Sequence, residues 1–265
     1  VTLGRSLVVV VLAAAAFGVE GAAASGDARP VGKAPAVAST AVATPAKTGE
    51  TRETGETRAD EPSCVRVKGA AACVGDDESS RPGISIEDTR NDRLHPAVEY
   101  YLNGYLGTKY VIHNLAREGE IRGSREIGKT ITFRAALYRG DKLLKVSRWK
   151  TVRDVTKYPV KRETRVTPAG ARARSEICVS TRGAASTCFA EKNTFVFACD
   201  TGADKHQARA EYFVAGDPTA RYEIHQLAGV NTCGKAEHGD LAISMYRASV
   251  FDDDHQVATR LYRYN

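Results

Sequence analysis

Apolar positions follow two patterns along this chain. Residues 7–19 form one continuous apolar run, preceded by Arg5 and followed by Ala22, Ala23 and Ala24. From residue 64 onward, apolar residues come in short stretches bounded by Gly, Pro, Asn or Asp. No stretch sustains a 3.6-residue period, so the pattern predicts strands rather than helices. In the first half the predicted strands are 64–67, 71–74, 84–87, 97–102, 110–115, 130–138 and 142–152. Lys68-Gly69 and Arg139-Gly140-Asp141 supply turn signals between neighbouring strands. Tyr110 and Ile112 share a parity and are placed in the core. His113 then points outward or to the other face of its sheet.

The amino-terminal run has a basic flank, a short apolar body and a small-residue cleavage site. Residues 1–24 therefore read as a secretory signal peptide, shorter than the roughly 20 apolar residues of a comfortable span. Residues 25–63 contain Ala, Thr, Pro, Gly and charged residues and no aromatic residue. Such a composition buries too little apolar surface to offset its ordering entropy, and predicts a disordered linker. No transmembrane segment is expected in the mature protein.

The remainder is one module written twice. CVRVKGAAAC at 64–73 matches CVSTRGAASTC at 178–188. Residues 88–116 match 200–228 at a shift of 112 without gaps, with identities that include Asp88, Asp92, Glu99, Tyr110, Ile112 and His113. FRAALYRGD at 133–141 matches YRASVFDDD at 246–254 at a shift of 113. Three blocks in one order at nearly one offset indicate a tandem duplication. The expected fold is all-β: two small antiparallel β-sandwiches of about seven strands, copy 1 at 64–154 and copy 2 at 178–265, joined by a connector at 155–177. An open barrel is the alternative architecture.

Repeat logic also pairs the six cysteines. Cys64 with Cys73, and Cys178 with Cys188, each flank a turn. Cys199 and Cys233 have Glu87 and Ile121 as counterparts, so copy 1 lacks both members of that pair. Joint absence is what a disulfide predicts, and an exported chain favours oxidation. Zinc fails on spacing, because no Cys-x₂-Cys or neighbouring Cys/His set occurs.

Charge is shared unevenly within the net +6. Residues 64–154 carry a net +5 and the connector +4, against −2 for 178–265. The basic excess fits an anionic partner, such as an envelope polymer or an acidic protein. No basic stripe interleaved with aromatic residues appears, so nucleic acid is not expected.

Candidate chemistry is confined to the repeated polar positions: His113 and His225, Asp88 and Asp92, Asp200 and Asp204, Glu99 and Glu211. No nucleophile–base pairing, phosphate loop or metalloprotease motif is present, so no catalytic, cofactor or metal residue is assigned. Asp-Thr-x-x-Asp ahead of a strand reads as turn chemistry. The Asp252-Asp253-Asp254 run offers calcium-type ligands without EF-hand spacing.

Several copy 2 motifs together resemble small exported β-rich proteins of actinobacteria. They are Cys-Val, Gly-Ala-Ala and Cys-Phe within 178–189, Cys-Asp-Thr-Gly-Ala-Asp at 199–204, Ala-Glu-Tyr at 210–212, Arg-Tyr-Glu-Ile at 221–224 and Cys-Gly at 233–234. The resemblance implies export and a β fold and carries no catalytic residues. The functional expectation is a secreted two-domain binding or interaction module at the cell envelope or outside the cell. The alternative is a secreted hydrolase with a site between the two domains.

Overall fold

The computed structural model describes residues 62–76, 82–124, 128–153, 155, 166–190, 194–238, 241–253 and 255–264. The expected signal peptide at 1–24, and the expected linker up to residue 61, lie outside the described residues. Among the described residues the chain forms eighteen strands and one short helix. Copy 1 holds β1 (Ser63–Val67), β2 (Ala70–Asp76), β3 (Pro82–Asp88), β4 (His95–Leu102), β5 (Thr108–Asn114), β6 (Ile121–Ser124), β7 (Thr130–Arg139), β8 (Lys142–Val146) and β9 (Lys150–Arg153). After α1 (Pro168–Arg174), copy 2 holds β10 (Ser175–Thr181), β11 (Ala185–Ala190), β12 (Phe195–Asp200), β13 (Gln207–Val214), β14 (Asp217–Gln226), β15 (Thr232–Glu237), β16 (Ile243–Asp252), β17 (His255–Thr259) and β18 (Arg263–Tyr264).

Each copy thus has nine strands rather than about seven. Two features account for the difference. The predicted strand at 142–152 breaks at Ser147, whose hydroxyl accepts from the Ala135 amide at 3.0 Å while its own amide donates to the Ala135 carbonyl at 2.8 Å. A side chain that competes for ladder hydrogen bonds ends the strand there. β6 reads IRGS and shows no apolar alternation; it is a strand because β3 pairs with it. The connector also holds more structure than expected. Thr167 caps α1 by accepting from the Gly170 amide, and Pro168 begins the helix, where its missing N–H costs nothing.

The two copies have the same sheet order. β1-β2-β3-β6 and β10-β11-β12-β15 form two four-stranded sheets. The other strands join into one sheet of order β17-β16-β13-β14-β5-β4-β7-β8, with β9 beside β7 and β18 beside β16. Alternate residues of this long sheet face the four-stranded sheets. Val98, Ile112, Phe133 and Leu137 of copy 1 meet Ala72, Val74, Ile84 and Ile86, and Ala210, Ile224 and Ala248 of copy 2 meet Phe189, Val196 and Ala198, all within one continuous apolar cluster. Ile112 and Ile224 are fully buried, and Tyr110 packs against the same cluster. Residues 64–154 and 178–265 are therefore halves of one body, sharing a sheet and a core.

The join between the halves has a local two-fold relation. β5 and β14 are repeat equivalents, and they pair antiparallel with Tyr110 opposite Ile224, Val111 opposite Glu223 and Ile112 opposite Tyr222. Position 110 is equivalent to 222, and 112 to 224, so the dyad passes between Val111 and Glu223. Each of these two residues faces its own repeat counterpart.

Three disulfides fix the four-stranded sheets: Cys64 to Cys73, Cys178 to Cys188 and Cys199 to Cys233. In each case the two cysteines lie directly opposite on adjacent strands. Glu87 and Ile121 are likewise opposite each other across β3 and β6, the position that Cys199 and Cys233 occupy in copy 2. The five-residue connection between β4 and β5 starts with Asn103 and Gly104 at φ 53° and 70°, a left-handed turn closed by the Tyr105 amide donating to the Leu102 carbonyl at 2.9 Å. Its copy 2 counterpart keeps Gly216 at φ 85°.

Candidate functional site

The face of the long sheet turned away from the main apolar cluster carries the repeated polar residues beside a small apolar group of Ala97, Val111, Ala136 and Tyr138, and it is buried near the dyad. His113 and His225 sit there with 1% and 2% exposure. Opposite parity to Ile112 does take His113 to the other face, but that face is covered. The sheet curls so that Asp141, in the turn between β7 and β8, reaches Arg221 on β14 at 2.8 Å. Tyr138 stacks on His95 and lies edge-on to His113.

Glu223 holds the centre. His113 Nε2 stands 3.0 Å from one carboxylate oxygen, and His225 Nε2 stands 2.7 Å from the other. Arg221 Nη2 stands 3.1 Å from the first oxygen. With His113 Nε2–H donating to Glu223, its Nδ1 accepts from His95 Nε2 at 3.1 Å. Two repeat-related histidines thus clamp one carboxylate on the dyad. Burial pushes the Glu223 carboxyl up, but His113, Arg221 and the hydrogen bonds from both histidines outweigh it and hold it well below the ordinary range. Burial lowers all three histidines, His95 to about 3. The cluster is therefore a buried carboxylate satisfied by an arginine and neutral imidazole donors.

A matching charge pair flanks the dyad on each side. Glu99 is buried on β4, and Arg134 reaches it at 2.6 Å, Tyr138 Oη at 2.6 Å and Lys109 at 3.7 Å. Glu211, its counterpart on β13, accepts from Arg247, from Ser249 Oγ at 2.8 Å and from Tyr262 Oη at 3.2 Å. Arg134 lies 4.5 Å from the centroid of the Trp149 ring, and Arg247 4.5 Å from that of Tyr262. At a shift of 112 for the glutamates and 113 for the other two, these are one Glu–Arg–aromatic triad written twice. Alignment of single short blocks could not show it, because Trp149 and Tyr262 lie outside the matched segments.

This geometry does not offer a reacting centre. The polar atoms of Glu99, Glu211 and Glu223 are committed to donors, and the side chains are closed to solvent. A divalent ion between the imidazoles and Glu223 is opposed by the guanidinium of Arg221, 3.3 Å from His113 Nε2. Among the described residues, no group of three or more His, Cys, Asp or Glu side chains is placed to hold a metal ion.

The aspartates are placed differently. Asp88, Asp92, Asp200 and Asp204 each accept a hydrogen bond from the backbone amide two residues on, at Arg90, Leu94, Gly202 and His206. These are Asx turns, and none of the four carboxylates joins the dyad cluster. Asp204 also pairs with the His206 ring at 3.2 Å. Asp252 and Asp253 are exposed at the tip between β16 and β17; Asp254 lies outside the described residues.

A second candidate lies on the surface of copy 1. Arg139, Lys142, Lys145, Arg148, Lys150 and Arg153 are all exposed along β7, β8 and β9, at one margin of the long sheet. None of the six forms an ion pair with the other described residues. Near the turn between β1 and β2 an open depression of about 410 Å³ is lined by Arg66, Lys68 and Arg90 and by no carboxylate. Copy 2 has Ser180, Arg182 and Gly202 at the equivalent positions. Its margin strand β17 reads HQVAT, without a Lys or Arg.

No protein-family model matches the chain, and no curated protein matches its sequence. Among solved structures it is similar to the FN1-FN3 domains of chicken CNTN1, at 10% identity and a TM-score of 0.25. That match covers 72% of this chain and 63% of that one. The all-β architecture follows from the strand pairing itself. No helix among the described residues is long and apolar enough to cross a membrane.

Proposed function

We propose that the protein is a secreted binding module, acting at the cell envelope or outside the cell, that takes an anionic polymer or protein along the basic margin of copy 1. It would belong with the exported β-rich proteins that its copy 2 motifs resemble. The observation that carries this reading is the row of six exposed cations along β7 to β9, none of them ion-paired with the other described residues. An anionic partner would relieve the repulsion among them. Lysines on a margin strand also deter edge-to-edge pairing of sheets. The equivalent margin in copy 2 has no lysine and keeps only Arg260 and Arg263 as exposed cations, so that role alone does not account for their number in copy 1. Three disulfides suit a chain that works in an oxidising compartment.

The test is retention of the full chain on immobilised anionic polymer at rising salt, beside a K145E/R148E/K150E variant. Retention that falls steeply with salt, and at least about tenfold weaker binding by the variant, is the expected outcome. Equal retention of the variant would remove the basic margin from the account.

A further inference from the structure

We propose that the anionic partner is a glycan, with a sugar ring stacked on Trp149 and its carboxylate or phosphate held by Arg148 and Lys150. This rests on the basic-margin reading above.

Trp149 is the only tryptophan in the chain. It lies in the break between β8 and β9, within the row of cations, and is 40% exposed. A large aromatic residue left this open needs a reason, because full burial of such a ring is worth on the order of 2 kcal/mol or more. The ring is also held in place. Arg134 covers it at 4.5 Å, and Glu99 fixes Arg134 in turn from inside the sheet. Tyr101 leans on it with ring centroids 5.3 Å apart. The indole thus forms a rigid platform, with little conformational entropy left to lose on binding.

The repeat supplies an internal control. Tyr262 occupies the same position in copy 2 and stacks on Arg247 in the same way. Its hydroxyl, however, donates inward to Glu211 at 3.2 Å. The Trp149 indole N–H has no partner among the described residues. The exposed part of the indole, with a ring N–H that none of the described residues accepts, matches the C–H face and ring hydroxyls of a sugar. Cations on both sequence neighbours add the match to an acidic substituent. An acidic polypeptide would use the cations and leave the indole idle.

Because there is one tryptophan, its fluorescence reports this site alone. The full chain is titrated at low salt with polygalacturonate, with a phosphomannan, with neutral dextran and with poly-glutamate. Polygalacturonate or phosphomannan is expected to shift and quench the emission to saturation, and the stronger of the two tells carboxylate from phosphate. Poly-glutamate is expected to bind, by a fluorescence-independent assay, without moving the emission. Trp149→Phe, which retains a ring for Arg134, should weaken binding of the preferred glycan by about five- to tenfold and leave poly-glutamate binding unchanged. An emission change of equal size with poly-glutamate, or glycan binding by Trp149→Phe as tight as by the parent chain, would overturn the glycan assignment. Tight binding of dextran would overturn the role of charge. If no polyanion binds the parent chain at low salt, the basic-margin reading falls, and the glycan inference with it.

Discussion

Copy 1 and copy 2 repeat the same order of strands, the same terminal disulfide and the same Glu–Arg–aromatic triad. They differ at the dyad, at one pair of facing residues and at the outer margin. The dyad difference has a direct physical cause. Positions 111 and 223 face each other, so two glutamates there would set like charges directly opposite in a closed site. Copy 1 carries Val111 and copy 2 carries Glu223, and one carboxylate then serves histidines from both copies. A duplicated chain can be asymmetric on its own axis, whereas two identical subunits cannot.

The largest expected effect comes from abolishing that asymmetry. Glu223→Val makes the two sides of the axis alike and strips Arg221, His113 and His225 of their shared acceptor. Loss of one partner from a buried charged network costs about 3–5 kcal/mol, read as a fall in the denaturation midpoint. Glu223→Gln keeps the shape and one acceptor oxygen and should cost less. A loss under about 1 kcal/mol for Glu223→Val would show that the join is held by apolar packing alone.

Next in size is the disulfide that copy 1 lacks. Cys199 and Cys233 are 34 residues apart in sequence, against 9 for Cys64 and Cys73. Chain-entropy arithmetic makes the longer bridge worth about 1 kcal/mol more, within a typical 2–4 kcal/mol. Replacing both members of each pair by Ala and comparing denaturation midpoints checks the order. The converse sharpens the comparison: Glu87→Cys with Ile121→Cys should form a fourth bridge and stabilise copy 1 by about 3 kcal/mol. Titration showing two free thiols in that variant would mean that the repeat equivalence does not extend to side-chain geometry.

Both of these tests start from positions that the sequence alignment already brings together. The duplication, the three cysteine pairs and the core parity of Ile112 and Ile224 were all legible, because identities at a fixed shift and period-2 alternation are local patterns. Burial of His113 and His225 was not legible. Alternation tells one face of a strand from the other and leaves open what lies above each face. His113 is packed by the rings of His95 and Tyr138 from β4 and β7 and by Arg221 and Glu223 across the join of β5 with β14, which no single copy encodes. β6 escaped for a related reason: IRGS has no pattern of its own, and only its partner β3 makes it a strand.

Acid provides a gentler perturbation of the same centre. His95, His113 and His225 are all depressed by burial in the folded chain. The unfolded chain therefore binds more protons below the free-histidine value of 6.5, and stability must fall as pH falls through that value toward about 3, where His95 titrates. Glu223, also depressed, adds a loss in the same direction below its ordinary 4.5. His238, lowered to about 4 by burial in copy 2, contributes with the same sign. Denaturation midpoints measured across this range should decline in the parent chain and decline less in a His113→Gln/His225→Gln variant. A cysteine-pair variant should instead shift the whole profile down without changing its slope, which separates the charge centre from the covalent one.

The smallest effect on stability belongs to the margin, where the copies differ most in charge. Lys145, Arg148 and Lys150 are exposed and form no ion pair with the described residues, so reversing them should change stability by no more than about 0.5 kcal/mol. Relief of like-charge crowding makes the expected sign slightly stabilising. The same reversal should remove polyanion binding. Introducing cations on the copy 2 margin, with His255→Lys and Ala258→Lys, should add charge and little affinity, because Tyr262 is turned inward to Glu211 and no depression lined by Arg66, Lys68 and Arg90 accompanies it. Binding gained in full by that variant would reduce the difference between the copies to net charge. Binding gained weakly or not at all would locate it in the arrangement around Trp149.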